Sequence, residues 1–145
     1  MNKKYQIIYA DPPWEYKKSG GIKSARGLVK KFYPTMKLED IKRLPINLIA
    51  DKNCYLFLWT TAPCIQEALQ VLNAWGFQFY TIAFTWIKQN KKADSLFWGM
   101  GNATRANPEY VLLGRKGKLK VGDTYENYDG QKMLVSKIHK NGLVK

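Results

Sequence analysis

The sequence predicts an α/β fold, part of a doubly wound sheet covered by helices. Three observations carry that reading. A run rich in β-branched and aromatic residues, Tyr5–Ala10, stops abruptly at Asp11-Pro12-Pro13-Trp14. A second run, Cys54–Thr60 (CYLFLWT), is continuously apolar, as a central strand buried on both faces should be. Helical spacing appears between and after these runs. The resulting order of strand, short helix, strand, helix, strand, strand is the alternation of an α/β sheet.

The first element, YQIIYA, is followed by two prolines, which cannot donate ladder hydrogen bonds and push the preceding residue out of helical geometry. It therefore reads as a buried strand with Asp11 at its carboxyl end, on a stiff turn. In open α/β sheets that edge is where ligands bind. Lys17–Lys31 follows, with Gly20, Gly21, Gly27 and six basic residues but no acidic one. Without a sustained period it reads as a mobile loop, either a lid or phosphate-contacting arm or simply solvated chain. Leu38, Ile41 and Leu44 stand at helical spacing, and Pro45 ends that helix. Asp51–Asn53 is an expected turn before the central strand.

Beyond that strand, Thr61 is the expected N-cap of a helix with Pro63 in its first turn. The helix runs to about Trp75, with Ile65, Ala68, Leu69, Leu72 and Trp75 on one face and Gly76 as its stop. Phe77–Lys88 reads as one or two strands. Gln89–Ala93 is polar and basic, and Ser95–Asn107 is rich in Gly and Asn. Its Gly99 and Gly101 resemble a glycine loop only weakly, lacking a clean strand–helix context. Pro108–Gly114 is a further strand, with Arg115, Lys116, Lys118 and Lys120 as a basic tail. From Val121 to Lys145 the pattern changes. Asp129-Gly130 and Asn141-Gly142 are hairpin-turn pairs that mark the start of a small β-meander.

Bulk properties narrow the function. The chain has 145 residues, 46% hydrophobic and 24% charged, with five Trp, nine Tyr and six Phe, enough apolar material for a globular core. Its net charge is +13, from 24 basic and 11 acidic side chains. A balance this basic points to a polyanionic partner, most simply nucleic acid, or to a Lys-rich soluble protein without one. No apolar run approaches the roughly 18 residues of a membrane span, and the amino terminus does not read as a signal peptide. Cys54 and Cys64 read as small core residues in a reducing compartment. With the lone His139 they make no convincing zinc site, so no metal is expected.

The chemistry of Asp11–Trp14 is specific. An ionised carboxylate only accepts hydrogen bonds, and a prolyl peptide keeps its carbonyl. Asp11 and the Pro12 carbonyl could therefore hold the two hydrogens of an exocyclic amino group, with the Trp14 ring as a face for a base to stack on. That grip would turn the nitrogen lone pair out of conjugation and aim it at an electrophile. The alternative for the tetrapeptide is a surface turn with a caging Trp.

These residues, taken with others in order along the chain, resemble the MT-A-seventy family of S-adenosylmethionine-dependent adenine-N(6) methyltransferases. The resemblance rests on IIYADPPW at Ile7–Trp14, YPTM at Tyr33–Met36 with LEDIKRL after it, and YLFLWTT at Tyr55–Thr61. A helix ending WGF at Trp75–Phe77, TWIK at Thr85–Lys88 and TRANPEYVLLGRKG at Thr104–Gly117 complete it. It covers about the first 118 residues, giving an expected methyltransferase domain at 1–118 and an unrelated hairpin-like tail at 119–145.

The resemblance implies a partial Rossmann-like methyltransferase sheet with flanking helices, plus the C-terminal β-meander fragment. It implies methylation of adenine N(6) in DNA or RNA, on a flipped or single-stranded base. Asp11, Pro12, Pro13 and Trp14 would be the catalytic tetrad. Tyr16, Lys17, Lys18, Arg26 and Tyr33 would bind substrate, and Ala10, Asp11 and Lys88 the cofactor, S-adenosylmethionine. Lys88 has the alternative of being a solvated strand-end lysine. Arg105 and Glu109 would shape the site, as a buried ion pair or by direct contact with a ligand. Relatives continue past this point with further helices and strands that hold the cofactor, whereas here Lys120 leads into the unrelated tail. A truncated or fused copy, such as a cytoplasmic phage or prophage product, is the expectation. The rival readings are a non-catalytic nucleic-acid-binding remnant or partner subunit, and a product without function.

Overall fold

The computed structural model describes residues 3–15, 34–99 and 104–118. The basic loop at 17–31 and the tail at 119–145 with its expected β-meander lie outside the described residues. Four strands form one sheet: β1 (Tyr5–Ala10), β2 (Ala50–Thr61), β3 (Gln78–Trp86) and β4 (Glu109–Lys116), in the spatial order β1-β2-β4-β3. Three helices accompany it: α1 (Leu38–Lys42), α2 (Ile46–Ile49) and α3 (Ile65–Ala74).

The architecture is the expected α/β layer, but the sheet is mixed rather than a parallel core. β1 and β2 pair in parallel, while β4 is antiparallel to both of its neighbours. Thus β1, β2 and β3 run in one direction and β4 returns between the last two. β3 and β4 are neighbours in the sheet, and the described residues between them form no crossover helix, the connection a parallel pair would need.

β2 is central, and its continuous apolar run is explained by burial on both faces. Leu56 and Leu58 are fully buried on the helix side, with α3 contributing Ala68, Val71, Leu72 and Trp75. Tyr55 and Phe57 are buried on the other side with Val111, and Phe57 stacks on Phe84 at 6.0 Å between centroids. β1 departs from the buried strand its composition suggests. Only Ile8 is buried, while Tyr5, Ile7 and Tyr9 are exposed. The reason is position, because β1 pairs with β2 alone in the described sheet and its second face meets no helix among the described residues.

Other boundaries shift for local reasons. Asp51–Asn53 is not a turn but the start of β2, where Ala50 already pairs with Tyr5. The side chain of Asn53 accepts the Lys118 N–H at 3.0 Å, so it is held as extended chain. Phe77–Lys88 yields a single strand with two register shifts, at Phe79/Thr81 and Ile82/Phe84. Arg115 and Lys116 belong to β4 itself, with the Arg115 guanidinium 4.8 Å from the Tyr80 ring centroid. Leu44 falls outside α1, two residues past its last residue and just ahead of Pro45. Thr61 makes no side-chain cap bond. It closes β2, and a 3-10 turn at Ala62–Cys64 with Pro63 leads into α3.

The end of α3 is as expected. Gly76 has φ +81°, its N–H donates to Asn73 O at 3.0 Å, and Phe77 N–H donates to Leu72 O at 2.9 Å. This pair of bonds is the Schellman closure, which satisfies the last carbonyls and swings the chain into β3. The Trp75 indole N–H donates to Ile41 O at 2.9 Å, tying α3 to α1 within the core. Cys54 and Cys64 are buried free thiols, and burial pushes Cys54 up to about 11.

Nothing lies within 4 Å of where a Gly76 side chain would begin, so a substitution there tests backbone strain alone. Gly76→Ala should destabilise the protein by about 1–2 kcal/mol in urea denaturation, and Gly76→Asn by less, because Asn visits the left-handed region more readily. Equal stability of all three would refute the capping role.

Candidate active site

The sheet order gathers its chemistry on one edge. Asp11 leaves β1 just after Ala10, which pairs with Leu58. Thr60 and Thr61 close β2, and antiparallel pairing sets Glu109 opposite both Thr61 and Trp86. Three carboxyl ends and one amino end therefore meet. A cavity of about 340 Å³ opens there, walled by Asp11–Trp14, the end of β2 at Trp59–Thr61, and Glu109.

The tetrapeptide is held by its own hydrogen bonds. Trp14 N–H donates to Pro12 O at 2.9 Å, closing a three-residue turn. Met36 N–H donates to Pro13 O at 2.9 Å, and Met36 and Trp14 form an isolated parallel bridge. Met36 is thus a clamp on the tetrapeptide. The Pro13 carbonyl is engaged structurally, while the Pro12 carbonyl, with two lone pairs, has used one on Trp14.

Trp14 differs from the open stacking face expected of it. It is 7% exposed and belongs to the main core, and its indole N–H donates to Trp59 O at 2.9 Å. A large side chain with one polar atom is most stable where that atom finds a buried partner, and the end of β2 supplies one. Trp14 therefore acts as wall and anchor of the pocket. The accessible aromatic material lies beside it. Trp59 is half-buried, donates its indole N–H to the Tyr9 hydroxyl, and meets Tyr9 and Trp86 edge-on at 6.3 and 6.0 Å.

Asp11 stands at the pocket mouth with an exposed side chain and no hydrogen-bond or ion-pair partner among the described residues. Its carboxyl is held above the ordinary aspartate value, first by partial desolvation against the pocket wall and then by the Glu109 carboxylate across the cavity. Glu109 is itself paired with the Lys88 ammonium, which also lies 5.2 Å from the Trp86 ring centroid. Lys88 is thus no free strand-end lysine: it is bonded to Glu109, which lines the cavity. Arg105 is exposed at the entry to β4, and Glu109 is ion-paired with Lys88. Ala10 is half-buried at the end of β1. Tyr16, Lys17, Lys18, Arg26 and Tyr33 lie outside the described residues.

Trp59, Thr60, Thr61 and Asn107 were not among the site residues expected from the sequence. The signal for the first three is the parallel pairing of two apolar runs, which sets the end of β2 beside the end of β1. Asn107 is marked by nothing but its position two residues before Glu109.

The α/β sheet thus carries an Asp-Pro-Pro-Trp turn at the carboxyl edge of its first strand, beside a pocket. Comparison with protein families matches this chain to MT-A70 over residues 5–143, a span that includes most of the tail. Among curated relatives, the chain is 36% identical over 134 residues to the type II methyltransferase M.MunI of Mycoplasma sp. It is 32% identical over 120 residues to the N6-adenosine-methyltransferase non-catalytic subunit MTB of Arabidopsis thaliana. It is 27% identical over 115 residues to the N(6)-adenosine-methyltransferase catalytic subunit METTL3 of Homo sapiens. These matches cover 81%, 81% and 79% of this chain, but 53%, 15% and 18% of the relatives. The chain belongs to the MT-A70 family and spans about half the length of the Mycoplasma relative.

The raised Asp11 carboxyl has a consequence for stability. A native value above the unfolded one means that the folded state holds the proton more tightly, so Asp11 opposes folding once it ionises. Asp11→Asn should therefore raise stability at neutral pH. The gain should fade as pH falls through the Asp11 titration range, and pH-dependent urea denaturation reads it. A gain independent of pH would contradict this origin.

Proposed function

We propose that the chain carries the amine-gripping site of an adenine-N(6) methyltransferase acting on DNA or RNA, with S-adenosylmethionine as methyl donor. The observation that carries this reading is the Asp11 carboxylate, unpaired among the described residues, beside the half-used Pro12 carbonyl at the mouth of a cavity with aromatic walls. The two acceptors match the two N–H groups of an exocyclic amine. Family membership supports the substrate class, as do the activities named for the relatives.

The residues around the cavity suit the donor. S-adenosylmethionine supplies a methyl group on positively charged sulfur, and Asp11 and Glu109 present carboxylates where a cation is to be received. Thr60 and Thr61 add hydroxyl-bearing side chains to the wall. Asp11 and the Pro12 carbonyl hold the amine hydrogens and turn its lone pair out of the ring plane. The nitrogen bonds to the methyl carbon as the carbon–sulfur bond breaks, both electrons staying on sulfur. The nitrogen then sheds one hydrogen as a proton, for which the Asp11 carboxylate is the adjacent acceptor. Catalysis of this kind rests mainly on positioning. The +13 charge favours a polyanionic substrate, and the buried free thiols suit a reducing, cytoplasmic setting in a bacterial or phage-encoded protein.

A second reading, a non-catalytic partner subunit, is favoured by the same charge and by the similarity to MTB, whose name marks it as non-catalytic. Incubation with labelled S-adenosylmethionine and adenine-containing DNA or RNA separates the two. The methyltransferase reading expects transfer by the wild type and a loss on the order of 100-fold in Asp11→Ala, as for a misplaced reacting group. Equal silence of both proteins overturns it. Nucleic-acid affinity falling steeply with salt, with no S-adenosylmethionine binding by calorimetry, supports the partner subunit.

A further inference from the structure

The long connection from β3 to β4 leaves and re-enters the sheet through one side chain. Asn107 Oδ1 accepts the Lys88 N–H at 2.6 Å, and its Nδ2 donates to Lys88 O at 2.8 Å and to Phe97 O at 2.6 Å. The amide thus pairs with both backbone groups of Lys88 as a neighbouring strand would. Phe97 N–H also donates to Lys88 O, at 2.9 Å. Two residues further on, Glu109 takes the Lys88 ammonium. The approach to β4 therefore grips Lys88 twice, by its backbone through Asn107 and by its side chain through Glu109.

We infer that Asn107 is a positioning residue: it fixes Lys88 so that its ammonium stays on Glu109, and so keeps the Glu109 charge balanced beside Asp11. The reason lies in the shared cavity. Asp11 and Glu109 both line it, and two carboxylates facing one low-dielectric space oppose each other's ionisation. Among the described residues, the charged side chains in the segments leading into and out of this end of the sheet are Asp11 and Glu15 after β1, Lys37 beside Met36, Lys88, Lys91, Lys92 and Asp94 after β3, and Arg105 and Glu109 at the entry to β4. The end of β2 contributes the uncharged Trp59, Thr60 and Thr61. Lys88 is the cation bonded to Glu109. A lysine has four rotatable side-chain bonds and reaches many places from one backbone position. Pinning its backbone removes part of the entropy that holding the ammonium on Glu109 would otherwise cost. Gripping an amine needs Asp11 ionised, so the device keeps the acceptor competent.

This inference rests on reading Asp11 as the amine-gripping group, but its test needs no turnover. The Asp11 carboxyl carbon is followed by NMR in ¹³C-aspartate-labelled protein across a pH titration, with Asp11→Asn to assign the resonance. Asn107→Ala and Lys88→Met should each move the Asp11 midpoint upward from wild type, and Glu109→Gln should move it downward. In the Glu109→Gln background, Asn107→Ala should have no further effect, an outcome that a merely structural role for Asn107 would not produce. Asn107→Ser, which retains a hydroxyl acceptor, should lie between wild type and Asn107→Ala. If Asn107→Ala does not fold, Lys88→Met and Asn107→Ser carry the test. An unmoved midpoint in Asn107→Ala, or in Asn107→Ser where only that variant folds, overturns the inference. So does an unmoved midpoint in Lys88→Met, or a shift that persists without Glu109. Silence in the methyl-transfer assay with these shifts intact would overturn the enzymatic reading alone.

Discussion

The β2–β4 ladder is the constraint on which the site depends. Eight consecutive residue pairs, from Cys54↔Lys116 to Thr61↔Glu109, lock a reversed strand between two that run the other way. Register in a half-buried sheet is strongly specified, because a one-residue slip would turn Val111 and Leu113 to the face now occupied by Leu112. That register decides where Glu109 stands. Were β4 parallel, its amino end would lie at the opposite edge, and the cavity would lose both an acidic wall and the cation that balances it. The antiparallel insertion is therefore what brings a carboxylate from the fourth strand to the carboxyl ends of the other three.

The tetrapeptide shows how one short stretch serves stability and chemistry together. Trp14 and Pro13 are engaged by the scaffold, through Trp59 O and Met36 N–H respectively. Asp11 and Pro12 face the cavity with acceptor capacity to spare. Neighbouring residues are divided between holding and acting, and the two prolines make the division rigid by fixing φ at two successive positions. A flexible turn would have to pay ordering entropy each time it gripped a ligand.

Much of this was legible in the sequence, for identifiable reasons. β2 announced itself because burial on both faces forces a continuous apolar run. The end of α3 did so because only a residue tolerant of positive φ fits at Gly76. The abrupt stop at Pro12 located Asp11 at a strand end. What was not legible depended on pairing between distant segments. β1 carries the composition of a buried strand, yet lies at the edge of the described sheet. Trp14 looked like a display surface because nothing local reveals that Trp59 O, 45 residues away, receives its indole N–H. Lys88 and Glu109 were both noted, but as separate features. Their union requires the reversed strand, and side-chain spacing along the chain carries no trace of it. Asn107 was invisible for the same reason, since an Asn ahead of a strand is ordinarily read as turn chemistry.

The charges of the site show a tension that the fold resolves locally. The chain as a whole carries +13, yet among the described residues its cavity is lined by two carboxylates and no cation. A polyanion drawn by the outer charge would be repelled at the cavity unless it entered as a neutral base or as the partner of a bound cation. On the proposed function, the arrangement would sort ligands by region: the outer lysines and arginines would face the phosphates of a polyanion, and the cavity would take an uncharged amine beside a cationic donor. Screening differs between the two regions as well. Salt weakens a many-charge attraction to phosphates steeply, whereas Asp11 has one carboxylate, Glu109, across the cavity from it. On the proposed function, raising ionic strength should thus weaken nucleic-acid capture more steeply than it alters the protonation of Asp11.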